Sequence, residues 1–164
     1  VKDFKLRRSF RRIIKRNDNI SLLLAPLQFK EEHFSLYRAY QSARHRGDGM
    51  DDSDPVKYQQ FMTSSEIDSF MMELRDGDRL LAVSVLDRVV DGLSAVYTFF
   101  EPAEDHRSLG TLAILRQIDL ALSAGHDYLY LGYWISDCSK MSYKERFSPL
   151  EEFDPNAQLW LLHT

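Results

Sequence analysis

The spacing of apolar positions switches between helical and alternating along the chain, and each switch predicts an element. Over 29–47 (FKEEHFSLYRAYQSARHRG), Phe34, Tyr37, Ala39, Tyr40 and Ala43 recur at helical spacing. Glu31 and Glu32 suit the positive end of that helix, and Gly47 suits its stop. The acidic, breaker-rich DGMDDSDP predicts a loop, and KYQQFMTSSEIDSF a short helix. The period then falls to two. Strands are predicted over 69–75, 79–89 and 93–101, joined by turns at Asp76-Gly77-Asp78 and Asp91-Gly92. Pro102 ends the last of them. A long helix follows over 106–125, with Ser108 as N-cap and Gly125 just past its end. Its only polar stripe is Arg116, Asp119 and Ser123, so most of its surface is covered. DYLYLGYWI (127–135) predicts a buried strand, 137–147 a short helix or loop, and 158–164 a last strand.

A strand, a long helix and a strand in succession imply a parallel crossover pair. The predicted class is therefore α/β (α+β): a mixed central sheet with an antiparallel meander, a βαβ unit and helices on both faces. The 30–46 helix covers one face and the 109–124 helix the other. This order is similar to that of the GNAT fold, the acyl-CoA N-acyltransferase superfamily.

Charge adds a second feature. Residues 1–16 carry eight cations against Asp3 alone, so a net charge of −4 divides into +7 on this arm and −11 elsewhere. A basic arm on an acidic body points to a polyanion, whereas the structural alternative is a solvated arm. Phe4, Leu6, Phe10, Ile13 and Ile14 are spaced among the cations as anchors that dock the arm onto the body. No apolar run reaches the roughly 18 residues that span a bilayer, and the start lacks a secretory signal's apolar region. One cysteine, Cys138, excludes an intrachain disulfide and a Cys-built zinc site. Together these features favour a cytoplasmic protein with no membrane partner.

Candidate chemistry gathers at two places. The turn before the long helix, Arg107-Ser108-Leu109-Gly110-Thr111-Leu112, resembles the GNAT pyrophosphate turn, except that Leu112 stands where that turn has a small residue. A helix N-terminus there suits a phosphate, of a nucleotide or of coenzyme A. Just beyond the 127–135 strand lie Asp137, Cys138, Lys140, Tyr143, Lys144 and Arg146, at the edge where open α/β sheets hold ligands. Lys140 and Lys144 share a helical face suited to an acidic group. Tyr97, Tyr133 and Trp134 are placed to wall the cleft where this strand parts from the one ending at Phe100; aromatic core packing is the alternative. Gly132, inside the strand, suggests a close approach by a ligand or another backbone. Cys138 reads as a buried thiol rather than a nucleophile. The acidic stretch His45, Asp48, Asp51, Asp52 and Asp54 reads as a polar loop rather than a metal site, because no closing Glu completes a calcium loop.

YTFFEPAEDHRSLGTLAILRQIDLAL, YLYLGYWISDCSKMSYKERFSPLE and ARHRGDGM together resemble the C-terminal domain of aminoacyl-tRNA–protein transferases. The pattern is nearest the bacterial aspartate/glutamate leucyltransferase branch, whose relatives are the arginyltransferases. The resemblance implies a basic arm, 1–25, linking to an N-terminal Cys-containing region outside this sequence, and a GNAT-like aminoacyltransferase domain over 26–164. It implies transfer of leucine, or alternatively arginine, from aminoacyl-tRNA to the α-amine of proteins beginning with Asp or Glu. That mark leads to degradation. Charged tRNA is the co-substrate, and neither a cofactor nor a metal is expected. The expected roles divide three ways. Tyr97, Tyr133 and Asp137 orient the amine or relay its proton. Trp134, Lys140, Tyr143, Lys144 and Arg146 bind the acceptor. Arg107, Ser108 and Gly110 hold the terminal nucleotide, while Arg8, Arg11, Arg12 and Lys15 ride on tRNA phosphates. The rival readings are a CoA-dependent N-acetyltransferase and a non-catalytic binding module.

Overall fold

The alternating runs of the sequence become the inner strands of one mixed sheet. In the computed structural model, which describes residues 1–44, 54–134 and 141–163, the chain begins α1 (Arg8–Arg16), β1 (Ile20–Pro26), α2 (Glu31–Arg44) and α3 (Pro55–Met62). It continues β2 (Ser69–Asp76), β3 (Arg79–Val89), β4 (Gly92–Phe100), a 3-10 turn (Pro102–Arg107), α4 (Leu109–Ser123) and β5 (Tyr128–Tyr130). A second 3-10 turn (Ser142–Arg146) and the hairpin β6 (Glu151–Asp154) and β7 (Leu159–Leu162) complete it. The sheet order is β1-β2-β3-β4-β5. Only the last pair, β4 with β5, is parallel. The antiparallel meander, the βαβ unit and the helices on both faces are thus as expected.

Several local details differ from the sequence reading. Gly77, at φ +57°, takes the first position of the β2–β3 turn, as a primed hairpin turn requires. In the next hairpin Val89 pairs with Gly92, so Val90 and Asp91 make the turn and Gly92 already belongs to β4. Glycine is needed there for a different reason. A Cβ on Gly92 would lie 2.4 Å from the Tyr128 carbonyl oxygen, where β5 joins β4. Ser108 does precede α4, but it sits at φ +56° and its side chain makes no capping bond. Gly125 ends α4 as expected, at φ +77°; its N–H bonds the Leu122 carbonyl and the His126 N–H bonds that of Ala121. The strand predicted over 127–135 is short, ending at Tyr130, and the last strand covers 159–162.

The basic arm is structured. α1 turns Phe10 and Ile13 inward, β1 pairs with β2 along its whole length, and the division expected between residues 25 and 26 falls inside β1. Phe10 is fully buried and stacks on Phe147 at 4.9 Å. Burying such a ring is worth roughly 1.5–3 kcal/mol. One core layer, beneath α1 and α4, joins Phe10, Met72, Leu74, Leu86, Leu112 and Leu115. The other, beneath α2 and α3, joins Phe34, Tyr37, Tyr58, Met71, Val83 and Phe99. Among the described residues no helix is long and apolar enough to cross a membrane.

One charged group is buried in this frame. Glu73 of β2 is 2% exposed and accepts bonds from Lys30 (2.6 Å), His33 (2.8 Å) and Arg75 (2.7 Å). Arg75 also forks onto Glu32. The network ties the start of α2 to the middle of the sheet. Burial pushes the Glu73 pKa up, but the three donors outweigh it and hold the carboxyl at about 2. Burial pushes the His33 pKa down, against the pull of Glu73. Both folded-state values lie below their unfolded values, so both groups make the fold more stable above the unfolded pKa. Stability therefore falls on acidification from about pH 6.5, as unfolded histidine takes a proton, and again below about pH 4.3 through Glu73. Urea unfolding between pH 7 and 3 should show both losses, and Glu73→Gln should shrink the lower one, leaving the part due to Glu32, which Arg75 also holds below its ordinary pKa. At neutral pH, Gly92→Ala should cost about 2–3 kcal/mol by forcing β5 off β4; an unchanged urea midpoint would contradict that tight pairing.

Candidate functional site

The site begins where two parallel strands separate. β5 pairs with β4 only through Gly92–Tyr128, Leu93–Leu129 and Ser94–Tyr130. Gly132 then adopts φ +74°, a conformation that side chains disfavour, and carries the chain off the strand path. The nearest atom to a Cβ there, the Ala95 carbonyl oxygen at 3.9 Å, is at ordinary contact distance. Backbone conformation, not close approach, therefore explains this glycine. β4 runs on to Phe100, and beyond Ser94 that edge has no strand partner among the described residues.

A bulge arms the open edge. β3 pairs Leu86 with Ala95 but Val85 with Tyr97, so Val96 is an extra residue. One extra residue reverses the faces beyond it. Leu93 and Ala95 lie in the α4 layer, whereas Tyr97 and Phe99 lie in the α2 layer. The Tyr97 hydroxyl accepts a 3.3 Å bond from Gln41 Nε2, which also donates to Tyr37 at 2.7 Å. Burial, with smaller contributions from Tyr40 and Tyr37, pushes the Tyr97 pKa up to about 12, so its hydroxyl keeps its proton at neutral pH. Tyr143, on the second 3-10 turn, is also raised, first by burial and then by Tyr40. Tyr40, from α2, therefore lies electrostatically within reach of both. Its ring meets Phe100 edge-on at 4.9 Å. The sequence reading has Tyr40 only as part of the apolar face of a helix and does not include Gln41.

At the far end of β4 stands the α4 N-terminus. The Leu112 N–H makes the first helical bond, to Ser108. The N–H groups of Leu109, Gly110 and Thr111 precede it, at the positive end of the helix dipole. A Cβ on Gly110 would be 3.0 Å from the Phe100 ring, so glycine lets α4 sit against β4. Arg107 is tied to Asp76 at 2.9 Å and Glu104 at 3.3 Å, while its Nη1 is buried without a bond. Arg8, Arg11, Arg12 and Lys15 fall at i, i+3, i+4 and i+7 on the exposed side of α1, opposite Phe10 and Ile13. None of the four is ion-paired among the described residues. The helix leads toward the α4 N-terminus, where Arg16 bonds the His106 carbonyl and Asn17 bonds that of Arg107.

The remaining candidates divide. Tyr133 is 91% exposed, and Trp134 stacks edge-on against His163 at 4.7 Å. Arg146 is exposed, with its guanidinium 5.4 Å from the centre of the Phe10 ring. Lys144 does not lie on a solvated basic face: it is 7% exposed and its amine bonds the Tyr133 carbonyl. Asp137, Cys138 and Lys140 lie outside the described residues, as do His45, Asp48, Asp51 and Asp52. Asp54 caps α3 by accepting from the Val56 N–H at 2.8 Å.

A sheet opened between β4 and β5, with a helix N-terminus beside the opening, defines a GNAT-like acyltransferase fold. Solved structures agree at the level of fold. An aminoglycoside acetyltransferase from an uncultured soil metagenomic sample aligns with TM-score 0.56 at 8% identity, covering 90% of this chain and 95% of that one. The PaiA N-acetyltransferase of Thermoplasma acidophilum, in complex with coenzyme A, aligns with TM-score 0.57 at 10% identity, covering 86% and 96%. Residues 32–154 match the family model described as arginine-tRNA-protein transferase, C terminus, and the chain belongs to that family. Among its relatives, the aspartate/glutamate leucyltransferase of Thiobacillus denitrificans is 50% identical over 92% of this chain and 63% of its own length. That of Chromobacterium violaceum is 45% identical over 92% of this chain and 62% of its own length. The chain thus spans under two thirds of these relatives.

Tyr97→Phe removes only a long hydrogen bond from a packed ring. It should change stability by less than about 1 kcal/mol, measured by urea unfolding. A larger loss would mean that the hydroxyl holds α2 to β4.

Proposed function

We propose that this chain is the catalytic domain of an aminoacyl-tRNA–protein transferase that moves leucine onto proteins beginning with Asp or Glu, marking them for degradation that depends on the N-terminal residue. The observation that carries this reading is the β4–β5 opening, flanked by the α4 N-terminus and a cationic stripe, in a member of this family. Leucine is favoured as donor because the relatives at 45–50% identity bear that name.

The chemistry asks little of the protein. The donor ester is already activated, and an α-amine with a pKa of about 7.7–8.0 is partly neutral at pH 7. The amine nitrogen attacks the ester carbonyl, the new C–N bond forms, and the bond to the tRNA ribose oxygen breaks. The proton lost by the amine ends on that ribose hydroxyl, so no external reactant is consumed. Holding the two ends together and stabilising the oxyanion supply the acceleration. In this reading the N–H groups at Leu109–Thr111 and the side chain of Arg107 meet the terminal nucleotide. Arg8, Arg11, Arg12 and Lys15 track the phosphates leading to it. Tyr97, still protonated, can accept the amine's proton only while passing on its own, so it acts as a relay rather than a standing base. Tyr133 and Asp137 join it in orienting the amine. Trp134 and Tyr143 wall the acceptor's path, and Lys140 and Arg146 meet its first carboxylate.

The test is a transfer assay with labelled Leu-tRNA and Arg-tRNA and peptides beginning with Asp, Glu or Ala. It uses this chain and a form extended to the relatives' length. Leucine transfer to Asp and Glu alone is expected. Acetyl-CoA consumption without transfer would overturn the reading. In tRNA binding, replacing Arg8, Arg11, Arg12 and Lys15 by Gln should flatten the slope of log K against log salt by about 3. An unchanged slope would remove the stripe from the tRNA path.

A further inference from the structure

A lysine amine with no carboxylate beside it is an expensive thing to bury. Lys144 is 7% exposed, and no carboxylate among the described residues pairs with it. Its position is nevertheless fixed from both sides. Its own N–H bonds the Met141 carbonyl at 3.1 Å, and its carbonyl accepts from Phe147 at 3.0 Å. Phe147 is 4% exposed and packs against both Phe4 and Phe10. The turn carrying Lys144 is thus anchored in the core beneath α1, and its amine is directed inward to the Tyr133 carbonyl.

Tyr133 lies beyond the last residue of β5 that pairs with β4. β5 has ended, Gly132 has turned the chain at φ +74°, and among the described residues no strand pairing holds 131–134 to β4. The Tyr133 ring projects into solvent at 91% exposure. One lysine therefore fixes the main chain that carries two of the site's aromatics. Burial pushes its amine pKa down.

We infer that Lys144 is a positioning residue: it holds the 131–134 segment away from β4, keeping the opening wide and Tyr133 presented, and does not pair with the substrate's carboxylate. The inference rests on the transferase reading for its functional consequence, but its structural half stands alone. It also gives a role to a buried cation that has no carboxylate partner among the described residues, where an apolar side chain would cost less.

Lys144→Met and Lys144→Gln test it in two independent readouts. Amide hydrogen exchange reports the structure. At residues 131–134 it should rise about tenfold or more in Lys144→Met and less in Lys144→Gln, which keeps an N–H donor. Exchange in β3 should not change, and Tm should not fall in Lys144→Met because a buried charge is removed. Transfer reports the role. kcat should drop about a hundredfold for Asp and Glu peptides alike, with KM and the preference over Ala peptides unchanged. Wild-type exchange at 131–134 in whichever variant folds would overturn the inference. So would loss of the acidic preference with kcat retained, which would return Lys144 to the substrate. If the unaltered protein transfers nothing, the transferase reading fails, and the exchange result still decides what Lys144 holds.

Discussion

The parallel contact between β4 and β5 is the constraint on which the site depends. It is tight at one end, where Gly92 leaves no room for a side chain beneath the Tyr128 carbonyl. It is absent at the other, where β5 has ended after Tyr130. A parallel pair closed along its whole length would be a packed interior. A pair closed at one end is a wedge, bordered by Tyr97 of β4, which accepts a bond from Gln41 of α2. Everything proposed about chemistry follows from the strands being pinned at Gly92 and free beyond Ser94.

Supporting features keep the wedge from collapsing. The Val96 bulge re-aims Tyr97 and Phe99 toward α2, so the open edge of β4 is braced by the second core layer. The Glu73 network fastens the start of α2 to β2, which sets where Tyr40 and Gln41 arrive further along that helix. On the other side, Phe10 and Phe147 stack at 4.9 Å and join α1 to the turn that carries Lys144. The arm is therefore part of the domain's frame. Its apolar side completes the core under α4, and its opposite side displays four cations in a row that leads to the α4 N-terminus.

The candidate site was read from the sequence where chemistry and local pattern coincide. Tyr97, Tyr133 and the α4 turn were proposed from two strands and a helix start, which alternating and helical periods report directly. The cations of the arm were found from charge, and their common face follows from helical spacing. Tyr40 was read only as part of an apolar helix face and Gln41 not at all, since a helix face reads alike whether it meets core or cleft. Lys144 was identified, but as one of two cations on a face suited to an acidic group. Its burial depends on Phe147 anchoring the turn against Phe10, more than a hundred residues away in the chain, and no local pattern carries that contact.

The two glycines that frame the wedge separate what each level determined. The sequence by itself determined the meander, the βαβ unit, the helix stop at Gly125 and the charge division, because these follow from periodicity, propensity and composition. It marked Gly92 as a turn residue and Gly132 as a place of close approach. The tertiary structure assigned the opposite reasons: Gly92 is where another backbone comes close, and Gly132 is where the chain turns at positive φ. A glycine announces only that a side chain is missing. Whether the missing atom would meet a neighbour or strain its own backbone depends on where a distant strand lies, and only the folded chain decides that.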